Sequence, residues 1–85
     1  MTATVVNKLG LHARPAMAFV DLASTFASAV TVRRAETEVD GKSIMQMMML
    51  AAGKGSKLEI TAEGDDSEEA CEKLRALVDG GFDEE

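Results

Sequence analysis

Apolar residues recur at two periods along this chain, and the changes of period mark its elements. From Pro15 to Ala27 the residues Ala16, Phe19, Val20, Ala23, Phe26 and Ala27 fall three or four apart. That is one face of an amphipathic helix, with Asp21, Ser24 and Thr25 off the stripe. Pro15 fits its first turn, where the missing N–H would have no partner. Ala29 to Arg34 alternates with period two, Val30 and Val32 on one face and Thr31 and Arg33 on the other. Thr37, Glu38 and Val39 suggest a further strand, although Ala35-Glu36 between the two is poor turn chemistry. Leu58, Ile60 and Ala62 alternate with Lys57, Glu59, Thr61 and Glu63, the cleanest strand pattern present. Thr2 to Asn7 adds a short β-prone run through Thr4, Val5 and Val6.

Two segments complete the order. Ser43 is a suitable N-cap for Ile44-Met45-Gln46-Met47-Met48-Met49-Leu50, which meets no breaker until Gly53 and Gly55. A two-turn helix that is apolar almost all round has Met47 and Leu50 for a core and leaves its outer face to be covered. Gly64-Asp65-Asp66 ends the strand before it, and Asp66 with Glu69 predicts a capping pair. The helix so capped carries Ala70, Cys71, Leu74, Leu77 and Val78 on one face and stops at Gly80-Gly81. The order β-α-β-β-α-β-α predicts an α+β fold, a four-stranded, mainly antiparallel sheet with three helices on one face.

Composition narrows the function. Eighty-five residues leave room for one domain, residues 1–85. Nine Lys and Arg against fifteen Asp and Glu give a net charge of −6, and there are three Phe and no Tyr or Trp. This argues against nucleic acid as a partner and disfavours a small α/β nucleic-acid module of the same element order, since phosphate contacts need clustered cations and bases need stacking platforms. The longest apolar run, Met47 to Ala52, is far short of the roughly 20 residues that span a bilayer. With no secretory signal in view and a single cysteine, Cys71, the expected setting is the cytoplasm, and no membrane. Cys71 sits on an apolar helix face and is expected in the core. One His and one Cys without ligand spacing point to no metal, and no cofactor motif appears.

The chemistry-bearing stretch is Gly10-Leu11-His12-Ala13-Arg14-Pro15-Ala16. His12, the one histidine, lies in the loop before the first long helix. A helix N-terminus offers N–H groups without intrahelical partners and a partial positive charge. A phosphoryl group on an imidazole there would meet the backbone N–H of Ala13, with Arg14 as a charged donor. Gly10 allows a close backbone approach. Imidazole titrates near neutrality, so it attacks a phosphoryl donor in its neutral form and later releases the group. On spacing alone, a loop histidine with no role remains an alternative.

That stretch resembles the active-site signature of the HPr family, the histidine phosphocarriers of the bacterial phosphotransferase system. Thirty residues on, Gly41-Lys42-Ser43-Ile44-Met45 is similar to the family's second motif, with its regulatory serine. The resemblance covers essentially the whole chain and implies an open-faced β-sandwich. It implies that His12 becomes phosphohistidine at Nδ1, that Arg14 supports the phosphoryl group, and that Ser43 is a site of regulatory phosphorylation. It implies Enzyme I as donor, IIA-type proteins as acceptors and HPr kinase/phosphorylase at Ser43, with the carrier a monomer rather than an enzyme that turns over a free substrate. An apolar patch of Ile44, Met45, Met48 and Met17 would dock successive partners, a task suited to flexible thioether chains. Asp21 and Ser24 stand where sugar-pathway members tend to carry lysines. Asn7-Lys8-Leu9-Gly10 and the tail Gly81 to Glu85 look more like the nitrogen-type branch, while Ser43-Ile44-Met45 is similar to members acted on by the kinase. A regulator that works by docking alone is the rival reading, and His12 speaks against it.

Overall fold

The computed structural model describes residues 1–83; Glu84 and Glu85, the end of the acidic tail, lie outside the described residues. The element order is β1 (Thr2–Thr4), α1 (Ala13–Ala23), β2 (Ala29–Arg34), β3 (Thr37–Asp40), α2 (Ile44–Met49), β4 (Lys57–Glu63) and α3 (Ser67–Asp79), closed by a 3-10 turn over Gly81–Asp83. The strands form one sheet in the order β1-β4-β2-β3. All three pairings are antiparallel, with Ala3 opposite Leu58, Val32 opposite Ile60 and Val32 opposite Val39.

Period-two alternation decides which face the helices cover. Ala3, Val30, Val32, Val39, Leu58 and Ile60 are buried beneath them, packed with Phe19, Met47, Leu74 and Val78. Complete burial of Phe19 and Met47 contributes about 2 kcal/mol each. Arg33, Glu38, Lys57 and Thr61 stay exposed on the uncovered face, whose polar cross-strand pairs need no second layer.

Two sequence expectations are corrected, and the expected strand over Thr37–Val39 forms. The first helix ends at Ala23, four residues before Ala27, which is exposed. Phe26 remains buried because the turn after the helix folds it back, so its spacing imitates a fourth helical turn. The β2–β3 hairpin closes over two residues despite its chemistry, with Ala35 in the left-handed region at φ 55° and Arg34 paired to Thr37. Tertiary pairing outweighs that strain, about 1–2 kcal/mol for a residue with a Cβ.

The capping pair also differs. Asp66 is the N-cap of α3, yet its side chain does not cap that helix. Its carboxylate instead accepts from Ala27 N at 2.8 Å, from Ser28 N at 3.0 Å and from the Ser28 hydroxyl. Ser28 is fully buried, and two backbone donors of the turn after α1 find their acceptor in this carboxylate. Asp66 thereby ties the end of α1 to the start of α3.

These hydrogen bonds, the Ser28 hydroxyl foremost, hold the Asp66 carboxyl below its ordinary value. A depressed carboxylate stabilises the fold above its unfolded pKa and loses that contribution as pH falls through the folded one. Asp66→Ala is expected to melt several degrees below the parent at pH 7. The gap should narrow as both are acidified below about pH 4, the ordinary range of an aspartate. Thermal denaturation followed by circular dichroism across that range measures it, and a gap independent of pH would contradict the assignment.

Candidate functional site

The chain enters α1 through a loop that is fixed at both ends. Asn7 is buried, and its Nδ2 donates to Gly10 O at 2.7 Å while Gly10 N donates to Asn7 O at 3.2 Å. His12 N then donates to Gly10 O at 3.0 Å. Gly10 has φ 69°, and a Cβ placed on it would lie 2.5 Å from Ala52 O and 2.8 Å from Gly53 Cα. Leu11, itself buried, donates its N–H to Ala52 O at 2.8 Å. Only glycine meets both demands, the left-handed backbone and the contact with a neighbouring main chain.

The connection against which this loop rests is held in turn. Arg34 Nη1 donates to Leu50 O at 3.2 Å and Arg34 Nε to Ser56 Oγ at 3.3 Å. A guanidinium at the C-terminal end of α2 meets its carbonyls and its partial negative charge. The residues 51–56 are therefore anchored on β2, and the His12 loop is anchored on them.

His12 is the residue that precedes α1, with extended backbone at φ −88° and ψ −168°. Its side chain is half-buried and does not cap the helix. Ala13 and Arg14 are the first two helical residues, both exposed, and their N–H groups have no intrahelical acceptor. Pro15 in the third position contributes no donor, and Ala16 N is already bonded to His12 O at 2.9 Å. The helix terminus beside His12 thus has two backbone donors, on Ala13 and Arg14.

Met17 lies one turn along α1 from Ala13 on the same helix face and is 49% exposed. α2 packs beside α1 and turns Met47 and Leu50 into the core. Its other face presents Met45 at 80% exposure, with Ile44 and Met48 less open. The expected docking residues are thus exposed on two neighbouring helices. Four further large apolar side chains are exposed that the sequence did not mark as such, Leu9 at 73%, Met49 at 71%, and Val6 and Met1 less so. Asn7 and the Ala52-Gly53 contact were missed as well, because nothing in a sequence pairs residues forty positions apart.

Ser43 is not part of the His12 site. Its Oγ accepts from Gln46 N at 3.2 Å, so it caps α2 as expected. Lys42 Nζ donates to Phe26 O at 2.8 Å, which places the start of α2 beside the turn after α1, while its far end meets Gly10. The two helices run in opposite directions, and Ser43 sits at the end remote from His12.

No helix among the described residues is long and apolar enough to cross a membrane. The sequence model of a family described as the PTS HPr component phosphorylation site matches residues 1–79. The phosphocarrier protein HPr of Pseudomonas aeruginosa is 51% identical over 82 residues, covering 95% of this chain and 91% of that protein. The phosphocarrier protein NPr of Proteus mirabilis is 45% identical over 82 residues, again covering 95% and 91%. A crystal structure of HPr from Thermoanaerobacter tengcongensis superposes with a TM-score of 0.94 at 45% identity, over 100% of this chain and 96% of that one. With the loop, the helix terminus and the exposed methionine face all in place, the chain belongs to the HPr family of the phosphotransferase system.

Proposed function

We propose that this chain is a cytoplasmic phosphocarrier of the phosphoenolpyruvate-dependent phosphotransferase system, and that His12 Nδ1 carries the group. Enzyme I is the donor and a IIA-type protein the acceptor. What supports the reading is the position of His12 directly before α1, whose first two residues, Ala13 and Arg14, are exposed and keep N–H groups without intrahelical acceptors.

In the first transfer the Nδ1 lone pair attacks phosphorus, and the N–P bond forms as the bond to the donor breaks. The second transfer reverses these roles at the acceptor. A carrier must not be a deep sink, because stabilising the phosphorylated intermediate too strongly raises the barrier to handing it on. Pro15 is suited to this, since it withholds one of the donors a helix terminus would otherwise offer. Ala13 and Arg14 N–H groups orient the phosphoryl oxygens, and the Arg14 side chain adds charge from solvent.

Ser43 acts at a distance from this chemistry. A phosphate on its Oγ stays at a helix N-terminus, which tolerates negative charge, and so leaves the fold intact. The same dianion lies beside the exposed Ile44 and Met45, where a partner must bury apolar surface. Phosphorylation of Ser43 by a kinase therefore inhibits docking rather than folding.

His12→Ala should retain the parental melting temperature and accept no phosphate from phosphorylated Enzyme I, as read by mass spectrometry or an acid-labile phosphate assay. Arg14→Ala should accept phosphate about ten-fold more slowly, because the backbone donors remain. Phosphate on His12→Ala would overturn the assignment. Ser43→Asp should keep or slightly raise the melting temperature and slow phosphorylation of His12. Full-rate phosphorylation of that variant would remove Ser43 from regulation.

A further inference from the structure

Sulfur is sorted in this chain. Of its six methionines, Met47 is fully buried, whereas Met17, Met45, Met48 and Met49 are exposed. Met1 is exposed elsewhere, beside β4, where its carbonyl accepts from Ile60 N at 2.7 Å. Met45, Met48 and Met49 are three and four residues apart, so they share one face of α2, and Met47 lies on the opposite one. Met17 is on α1, which packs beside α2. The chain has no Tyr or Trp, and its one thiol, Cys71, is half-buried on α3 with Sγ donating to Ile60 O at 3.8 Å. The side chains most open to an oxidant are therefore the thioethers of the face that the carrier reading gives to its partners.

A thioether needs no ionisation to react. Its sulfur lone pair attacks the terminal oxygen of a hydroperoxide, and the S–O bond forms as the O–O bond breaks. The proton of the attacked oxygen passes to the departing one, which leaves as water or an alcohol. Sulfur loses two electrons, the peroxide gains them, and the product is methionine sulfoxide. A flexible apolar side chain has become a polar one with a hydrogen-bond acceptor. On a free surface water satisfies that oxygen, so the fold is left alone and Met47 keeps its place in the core. Against the apolar surface of a partner the same oxygen is desolvated without a donor, and docking weakens.

We propose that Met45, Met48 and Met49, with Met17, are a reversible oxidation site, at which a hydroperoxide disables docking while His12 keeps its capacity to take a phosphoryl group. The imidazole and the N–H groups of Ala13 and Arg14 have no part in the step. This control is independent of Ser43, which caps the start of α2 and is chemically unchanged by it. Reversal removes the sulfoxide oxygen as water with two electrons from thiols, one reductase serving each sulfoxide epimer. The inference rests on the carrier reading for its partner and is tested apart from it.

The protein is treated with hydrogen peroxide, and peptide mass spectrometry follows each methionine. Sulfoxide should form at Met17, Met45, Met48 and Met49 well before Met47, with the circular dichroism unchanged. Enzyme I without phosphoenolpyruvate should bind the oxidised chain about ten-fold more weakly, and with it kcat/KM for transfer should fall about ten-fold. Phosphoramidate, a small donor that needs no docking, should phosphorylate His12 at the parental rate. The two sulfoxide reductases should restore binding. Met17→Leu/Met45→Leu/Met48→Leu/Met49→Leu, which conserves volume without sulfur, should bind alike before and after peroxide. Loss and repair in the parent decide the matter if that variant does not fold. Binding unchanged by sulfoxide at these residues, a loss that persists once the sulfoxides are removed, or an equal loss in the leucine variant would overturn the inference. A parent chain that binds Enzyme I but takes no phosphate on His12 would instead sink the carrier reading and leave the binding difference to decide the inference. Absence of binding by the untreated parent would overturn both.

Discussion

The contact of Gly10 with the main chain at Ala52 and Gly53 sets everything else about the site. A Cβ at Gly10 would collide with backbone rather than with a yielding side chain, so the two loops can meet only with glycine there. Leu11 adds a hydrogen bond to Ala52 and buries its side chain, and His12 follows directly. The imidazole is therefore carried on a loop, where a partner reaches it, yet the loop rests on the anchored end of α2. Through Arg34 that anchor continues into the sheet.

This arrangement separates three tasks that share a small surface. The head of α1 has backbone N–H groups without intrahelical acceptors, the outer face of α2 exposes flexible apolar side chains, and the start of α2 carries a serine at the end remote from His12; under the proposed function these are the phosphoryl, docking and regulatory positions. A charge added at that serine changes what a partner meets without touching the donors at Ala13 and Arg14. The far end of the molecule is closed by Asp66, whose role is structural and depends on its being ionised.

Much of this was legible in the residues, and the exceptions have physical causes. The alternation of Val30 with Val32 and of Leu58 with Ile60 marks their strands because a sheet covered on one face enforces period two. Ser43 was readable as a cap because capping is local, a matter of three residues. Asp66 was misread for the opposite reason: its partners Ala27 and Ser28 are distant in sequence, and a carboxylate at a helix start looks the same whether it caps that helix or another turn. Phe26 deceived by spacing, since a buried turn residue can fall in phase with a helix that has already ended. His12, Ala13 and Arg14 could be proposed from the sequence because they are contiguous. The support from Asn7 and Ala52 emerges only when the loops are brought together.

The account turns on where the phosphoryl group rests, and amide chemical shifts report that directly. The protein is labelled with nitrogen-15 and phosphorylated with Enzyme I and phosphoenolpyruvate, and its amide spectrum is compared with that of the unphosphorylated form. The amides of Ala13 and Arg14 should move most, downfield as donors to a phosphoryl oxygen, while those of Ala27 and Ser28 at the Asp66 anchor stay in place. A phosphorylated protein in which Ala13 and Arg14 do not move, with the largest shifts elsewhere, would contradict it.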